Sequence, residues 1–127
     1  MNDTICTATI FGHMPRKSNS RRIVIRDNKP RSIKSRDALH WMDAASLQLR
    51  AATQTRNHPG PVSITAHIYY RSERSDLSDE LLSDALERAD IIRNDRQIVE
   101  KHLYRHVDRD NPRVEVVVEA IKKPPTP

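Results

Sequence analysis

A change of hydrophobic period near the middle of the chain constrains the fold more than any other feature. Residues 62–70 alternate between apolar and polar side chains, which predicts a β-strand with one buried face. The segments on either side repeat their apolar residues every three to four positions, which predicts amphipathic helices. A strand between two such helices predicts an α+β fold. The alternating apolar residues are Val62, Ile64, Ala66, Ile68 and Tyr70.

Both predicted helices have a recognisable apolar face. Ser35 is a typical N-cap residue and predicts a helix from there to about Gln54. The second helix is predicted from about Ser78 to Ala89, with acidic and polar residues opposite its apolar face. The predicted buried residues are Ala38, Met42, Ala45 and Leu49 in the first helix, and Leu77, Leu81, Leu82, Ala85, Leu86 and Ala89 in the second.

Four further strands complete the predicted domain. Two precede the first helix, at residues 4–11 and 22–26, and two follow the second helix, at residues 97–107 and 113–121. Turn residues follow the second strand at 27–30. The predicted order is ββαβαββ, in a single α+β domain whose mixed sheet carries two packed helices. We expect this domain over residues 1–121 and a flexible C-terminal tail over 122–127.

The basic residues are concentrated in the first half of the chain. The formal net charge is +5, but residues 1–60 hold 11 Lys/Arg and 4 Asp/Glu, whereas residues 61–127 hold 11 Lys/Arg and 13 Asp/Glu. Residues 16–36 contain nine basic side chains and one acid. This division predicts that the first half attracts a polyanion while the second holds a cation close to it.

Composition excludes several classes of protein. Two glycines in 127 residues provide no glycine-rich nucleotide loop, so no organic cofactor is expected. Cys6 is the single cysteine, which rules out an intramolecular disulfide and is typical of a reducing compartment. No apolar run is long enough for a signal peptide or a membrane span. The sequence therefore predicts a cytoplasmic protein without a membrane partner.

Acidic residues recur around the second predicted helix. Asp76, Glu80 and Asp84 are spaced four residues apart, which places them along one side of a helix. Asp95 precedes the next strand and is expected to return to the end of the sheet where Asp76 lies. Converging carboxylates are the ligands that Mg²⁺ prefers. A solvated acidic face that complements the helix dipole has the same spacing, so spacing alone leaves both interpretations open.

Two short motifs, seven residues apart, lie at the end of the second predicted helix and before the next strand. They are Asp84-Ala85-Leu86 and the run from Asn94 to Val99, which reads Asn-Asp-Arg-Gln-Ile-Val. Together they resemble the core of the RusA family of Holliday junction resolvases, which has an Asp-Ala-Leu on a helix and an Asp-Asp-x-Gln-Val turn leading into a strand. Residues 15–22 resemble the basic loop of that family, and residues 111–116 resemble its last strand.

The resemblance implies a phage-type, metal-dependent endonuclease that resolves four-way DNA junctions in recombination and repair, in a bacterial host or a phage-infected bacterial cell. In the ungapped register, Asp76 takes the place of the second Asp of the family's Asp-Leu-Asp-Asn run. Arg74 stands at the first Asp, Leu77 at the Asn and Glu80 at the following Lys. A gapped register makes Asp76 the first acid of the run. Only Asp95 matches the same family position in both registers.

The ungapped register predicts Asp76 and Asp95 as catalytic and metal-binding residues. Glu80 is the third acid, and the metal is Mg²⁺, with Mn²⁺ as a substitute. Arg74 would take over the electrostatic role of the missing Lys. The remaining predicted DNA-binding residues are Arg16, Lys17, Arg21 and Arg22.

A homodimer is expected, because a C2 dimer places two equivalent sites across the near-twofold axis of a four-way junction. The altered acidic run supports an alternative, a non-catalytic junction-binding protein that keeps the RusA-like fold. Two further alternatives stay open at this point: cleavage of flaps or RNA by the same site, and an interaction protein without a nucleic-acid partner.

Overall fold

The computed structural model describes residues 3–16 and 19–122. Two helices and six strands follow one another in the order βββαβαββ, and a single 3₁₀ turn at Asp95–Gln97 precedes β5. The α+β class and the mixed sheet are confirmed. The elements are β1 (Asp3–Phe11), β2 (Arg21–Arg26), β3 (Lys29–Lys34), α1 (Arg36–Ala52), β4 (Val62–Tyr70), α2 (Glu80–Arg88), β5 (Ile98–Val107) and β6 (Arg113–Ala120).

Strand β3 is the one strand that the sequence pattern did not predict. Its residues, Lys-Pro-Arg-Ser-Ile-Lys, lack an apolar alternation because neither face of the strand is buried in the core. It pairs with β2 as a two-stranded antiparallel sheet of its own. Asp27 and Asn28 connect the two strands with φ values of 53° and 60°, the left-handed backbone that a two-residue hairpin turn requires.

The other four strands form one mixed sheet in the order β1-β6-β4-β5. Strands β4 and β5 are parallel, whereas β6 is antiparallel to both β4 and β1. The alternation that predicted β4 is confirmed, because all five of its apolar residues are buried. The parallel connection from β4 to β5 runs through α2 and the 3₁₀ turn, so it leaves the sheet after Tyr70 and returns at the opposite end, where β5 begins beside the start of β4. The expectation that Asp95 returns to the end of the sheet where Asp76 lies is therefore wrong.

The core lies between one face of this sheet and the two helices. Ser35 caps α1 as predicted, its hydroxyl accepting a hydrogen bond of 3.1 Å from the Ala38 amide. Leu77 is 40% exposed, so its predicted burial is wrong; α2 begins at Glu80 rather than near Ser78, and Leu77 lies before it. The buried helix residues are Ala38, Trp41, Met42, Ala45, Leu49, Leu81, Leu82, Ala85 and Leu86.

The opposite face of the sheet has no helix on it and carries a column of flat side chains. Tyr104 stacks on His67 at a centroid distance of 4.6 Å, and Tyr69 stacks on His106 at 4.5 Å. His67 Nδ1 and His106 Nε2 are 2.8 Å apart, and the Arg113 guanidinium covers Tyr69. Stacking between neighbouring strands thus stabilises this face in place of a packed layer.

Two predictions concern the ends of the chain and the membrane. The predicted tail lies outside the described residues from 123 onward, and Lys122 Nζ lies 3.7 Å from an Asp3 carboxylate oxygen. Over the part of the chain that the structure describes, neither helix combines the length and apolar character that a membrane span requires.

Candidate metal and nucleic-acid site

The N-terminal end of α2 carries two acids that are each held by a cation from another element. The Asp79 carboxylate lies 2.7 Å from Lys101 Nζ of β5 and accepts a 2.8 Å hydrogen bond from Ser83 Oγ. Glu80 lies 3.2 Å from the Arg21 guanidinium at the start of β2. Burial acts to raise the pKa of Asp79, but the hydrogen bonds from Lys101 and Ser83 outweigh it, so that pKa lies below its usual range.

Three other carboxylates gather at the C-terminal end of the same helix. Asp84, Glu87 and Asp95 each have an oxygen within 4.8 Å of the others, and they form the single such group of three or more acids, histidines or cysteines among residues 3–16 and 19–122. We call this group the acidic triad. Burial, together with the charges of Asp95 and Asp84, raises the pKa of Glu87. The triad therefore concentrates negative charge, which a cation would relieve.

One cation of the chain already contacts the triad. Lys34 Nζ, at the end of β3, lies 3.0 Å from an Asp84 oxygen, and both side chains are about three-quarters buried. Lys34, Asp84 and Glu87 also line an open cavity of about 380 Å³, together with Leu39 of α1. The cavity thus brings together the basic hairpin, both helices and two acids of the triad.

The loop before β5 holds Asp95 in place through its neighbour Gln97. Gln97 Oε1 accepts hydrogen bonds from the backbone amides of Arg93, at 2.7 Å, and Asn94, at 2.9 Å. Its Nε2 donates to the carbonyls of His58 and Gly60, at 2.6 and 2.8 Å. One side chain therefore fastens the 3₁₀ turn to the loop before β4. This gives a structural reason for a Gln two residues after Asp95.

The structure brings together only part of the predicted metal set. Asp95 belongs to the acidic triad, whereas Asp76 and Glu80 do not. Asp76 is exposed, and its carbonyl accepts a 3.1 Å hydrogen bond from the hydroxyl of buried Tyr70. That bond holds the backbone of the loop before α2 in place. Metal ligation by Asp76 and Glu80 stays a prediction.

Sequence reasoning missed Glu87 and Lys34 as members of the site. Glu87 follows Asp84 by three residues, so helical spacing alone could have placed both on one face. Nothing local identifies Lys34, because its contact with Asp84 joins residues 50 positions apart in a strand that the sequence did not predict.

Two of the five predicted DNA-binding residues lie at the base of the hairpin. Arg21 and Arg22 begin β2, and both are exposed. The Nε atom of Arg16 is buried and has no hydrogen-bond partner among the described residues. Lys17 lies outside the described residues. Arg74 is exposed in the loop before α2, where its backbone amide donates a 3.3 Å hydrogen bond to Ser72 Oγ.

No family model matches the chain, and no curated protein matches it either.

Proposed function

We propose that the protein is a metal-dependent endonuclease that cleaves branched DNA, with four-way junctions as its substrate in recombination and repair. One observation carries the proposal: the acidic triad lies directly beside a hairpin that is rich in Arg and Lys, and Lys34 joins the two through Asp84. A carboxylate cluster that suits a divalent cation, next to cations that suit phosphate, is an arrangement that suits metal-dependent phosphodiester hydrolysis.

The residues of the triad would hold Mg²⁺, or Mn²⁺ in its place, through hard carboxylate oxygens. When bound, such a metal would polarise the phosphodiester and activate a water for attack on it. Asp95 is common to the triad and to the set predicted from the family resemblance, so it is the residue on which the proposal depends most. Asp84 and Glu87 would stand in for the ligands assigned to Asp76 and Glu80.

The protein's own residues would position the substrate. Arg21 and Arg22 would bind phosphates close to the triad, and Arg74 would add positive charge from the loop before α2. Contacts of this kind hold DNA without reading its sequence, which suits an enzyme that selects for structure. A homodimer in the cytoplasm of a bacterial or phage-infected cell would place two such sites across one junction.

One specific observation favours a second candidate, a non-catalytic protein that binds DNA junctions. The Lys34 ammonium lies 3.0 Å from Asp84 and neutralises part of the triad without any metal. In this function, the basic hairpin would bind DNA while the acids serve to hold its base in place.

Incubation of labelled four-way junction and matched linear duplex with Mg²⁺, Mn²⁺ or EDTA separates the two candidates. We expect paired nicks in the junction with either metal and none in EDTA. Asp95→Asn should abolish cleavage and leave junction binding equal or tighter, since one carboxylate repels phosphate less. Asp110→Asn, at an exposed acid in the β5–β6 turn, is the matched control and should cleave normally. Junction binding without cleavage under any metal would favour the second candidate.

A further inference from the structure

The β2–β3 hairpin is structurally separate from the rest of the fold. It forms its own two-stranded sheet and shares no backbone ladder with the four-stranded sheet. Contacts at its base attach it to the rest of the fold. Arg21 pairs with Glu80, Lys34 pairs with Asp84, and the Ser35 amide donates a 2.8 Å hydrogen bond to the Ser20 carbonyl. We call this hairpin, residues 21–34, the arm.

This arm accounts for the whole net charge of the protein. Residues 21–34 contain six Arg or Lys and one acid, Asp27, a net charge of +5 that equals the formal charge of the entire chain. Arg21 and Lys34 at the base are neutralised by acids of α2. The other four cations are exposed, and none forms an ion pair with any residue of 3–16 or 19–122. They are Arg22, Arg26, Lys29 and Arg31.

The register of the hairpin places Ile23 and Ile25 on the face opposite these four cations. Beyond the ion-paired base, one face presents Ile23 and Ile25, which are 68% and 75% exposed, with Pro30 directly opposite Ile25. The other face carries Arg22, the facing pair Arg26 and Lys29, and Arg31, together with the half-buried Val24 and Ile33. No element of the described chain covers Ile23 or Ile25, although β-branched residues on a packed sheet are normally buried.

We infer that this arm is the base-contacting element of the protein: its cations bind DNA phosphates, while Ile23 and Ile25 pack against bases that are unstacked at a branch point. The inference rests on the proposed function for the class of its partner. A two-stranded ribbon fits a DNA groove, and apolar side chains that insert at base steps are a known way of binding deformed DNA. A branch point exposes base faces that an intact duplex keeps stacked, so the isoleucines would discriminate between the two.

Charge and shape favour nucleic acid over an anionic membrane as the partner. The tip of the arm is Asp27-Asn28, so a carboxylate would have to enter the lipid before either isoleucine. Four of the six basic residues are arginines, whose planar forks match phosphate and also stack on bases. Lipid binding is therefore an outcome of the test that would overturn the inference.

The test uses a four-way junction with 2-aminopurine at the branch point, in EDTA so that no cleavage takes place. Ile23→Thr with Ile25→Thr removes the apolar face and keeps β-branched side chains; Leu47→Thr, at a 70% exposed leucine of α1, is the matched control. We expect wild type and the control to increase the fluorescence on binding. The double variant should lose that increase, and its junction affinity should fall roughly tenfold while its duplex affinity is unchanged.

A second pair of variants tests the cationic face. Arg26→Gln should lower the slope of log affinity against log salt by about 0.9, the value for one lost phosphate contact. Arg109→Gln removes an exposed arginine of the β5–β6 turn that forms no ion pair with the described residues, and it should leave the slope unchanged. Circular dichroism and thermal melting of all variants should match wild type, since every substituted side chain is exposed.

The inference is overturned if the isoleucine variant behaves like the leucine control, or if the arm binds phosphatidylserine vesicles through Ile23 and Ile25 and gives no fluorescence change with DNA. Its failure and that of the proposed function are distinguishable. If the protein never cleaves but shows the isoleucine-dependent fluorescence change, the inference about the arm holds and the proposed nuclease function fails. If the protein cleaves but shows no such fluorescence change, only the inference about the arm fails.

Discussion

The two ends of helix α2 carry similar numbers of acids in opposite electrostatic settings. At the N-terminal end, Asp79 and Glu80 each have a cation of their own, Lys101 and Arg21. At the C-terminal end, the acidic triad shares Lys34 alone among the ion pairs of the described residues. The pKa of Asp79 is accordingly lowered, whereas that of Glu87 is raised. Whether an acid of α2 forms a structural ion pair or suits a bound cation thus depends on the residues that reach it from other elements. Its spacing along the helix does not decide this.

The largest expected effect is on cleavage, and it contrasts the two ends directly. Glu87→Gln should lower the rate of junction cleavage in Mg²⁺ by at least about 100-fold, since even loss of an outer-shell partner of a metal costs 10–100-fold. Glu80→Gln should keep the rate, because Glu80 binds Arg21 rather than the triad. The measurement is single-turnover cleavage with saturating enzyme. The reverse result would assign the metal to the set predicted from the sequence, Asp76, Glu80 and Asp95.

The next effect concerns the loop that positions Asp95. Gln97→Ala should reduce the free energy of unfolding by about 1–3 kcal/mol, because it leaves two backbone amides and two carbonyls without their partner. Urea denaturation measures this loss. Gln54→Ala, at an exposed glutamine after α1, provides the comparison and should change stability by less than about 0.5 kcal/mol. Equal midpoints for the two variants would mean that water replaces Gln97 without cost.

A smaller effect is expected at the N-terminal end. Asp79→Asn should cost about 1 kcal/mol of stability near neutral pH, since Lys101 is nearly half exposed and solvent screens the pair. The folded-state pKa of Asp79 is lowered, so its contribution is complete above the unfolded value of about 3.9 and is lost as the pH falls through the folded pKa. Denaturation between neutral pH and pH 2 should show wild type losing this advantage over the variant in acid. If wild type is still more stable than Asp79→Asn by the same amount at pH 2, the stabilisation does not come from the ionised Asp79 carboxylate.

The smallest effect has the opposite sign and belongs to Glu87. The folded-state pKa of Glu87 is raised, so its ionisation opposes folding at neutral pH. This destabilisation is relieved as the pH falls from neutral through the folded pKa toward the unfolded one. Glu87→Gln should therefore melt slightly higher than wild type at neutral pH without divalent metal, although it loses activity. The measurement is thermal melting with and without Mg²⁺, which should stabilise wild type more than the variant. A lower melting temperature for the variant in metal-free buffer would show that the triad is not electrostatically strained.

Local pattern was sufficient for most of the fold. The alternation of β4 and the apolar stripes of both helices each depend on residues that are neighbours in sequence, and each is confirmed by burial. Ser35 was identifiable as a cap for the same reason, because its partner is the amide three residues later. Strand β3 was missed because its pairing with β2 leaves both faces without an apolar signal.

The sequence by itself determined most of the elements and the cationic segment; only the tertiary structure decided which acids meet. Asp84, Glu87 and Asp95 come together because the chain turns after α2 and Gln97 fastens that turn to the loop before β4. Lys34 and Arg21 reach α2 from a hairpin about 50 residues earlier. Spacing along a helix orders its own side chains, but charges from distant segments act through space. Their interaction depends on the distance between the charges and on the local dielectric constant, not on separation along the sequence.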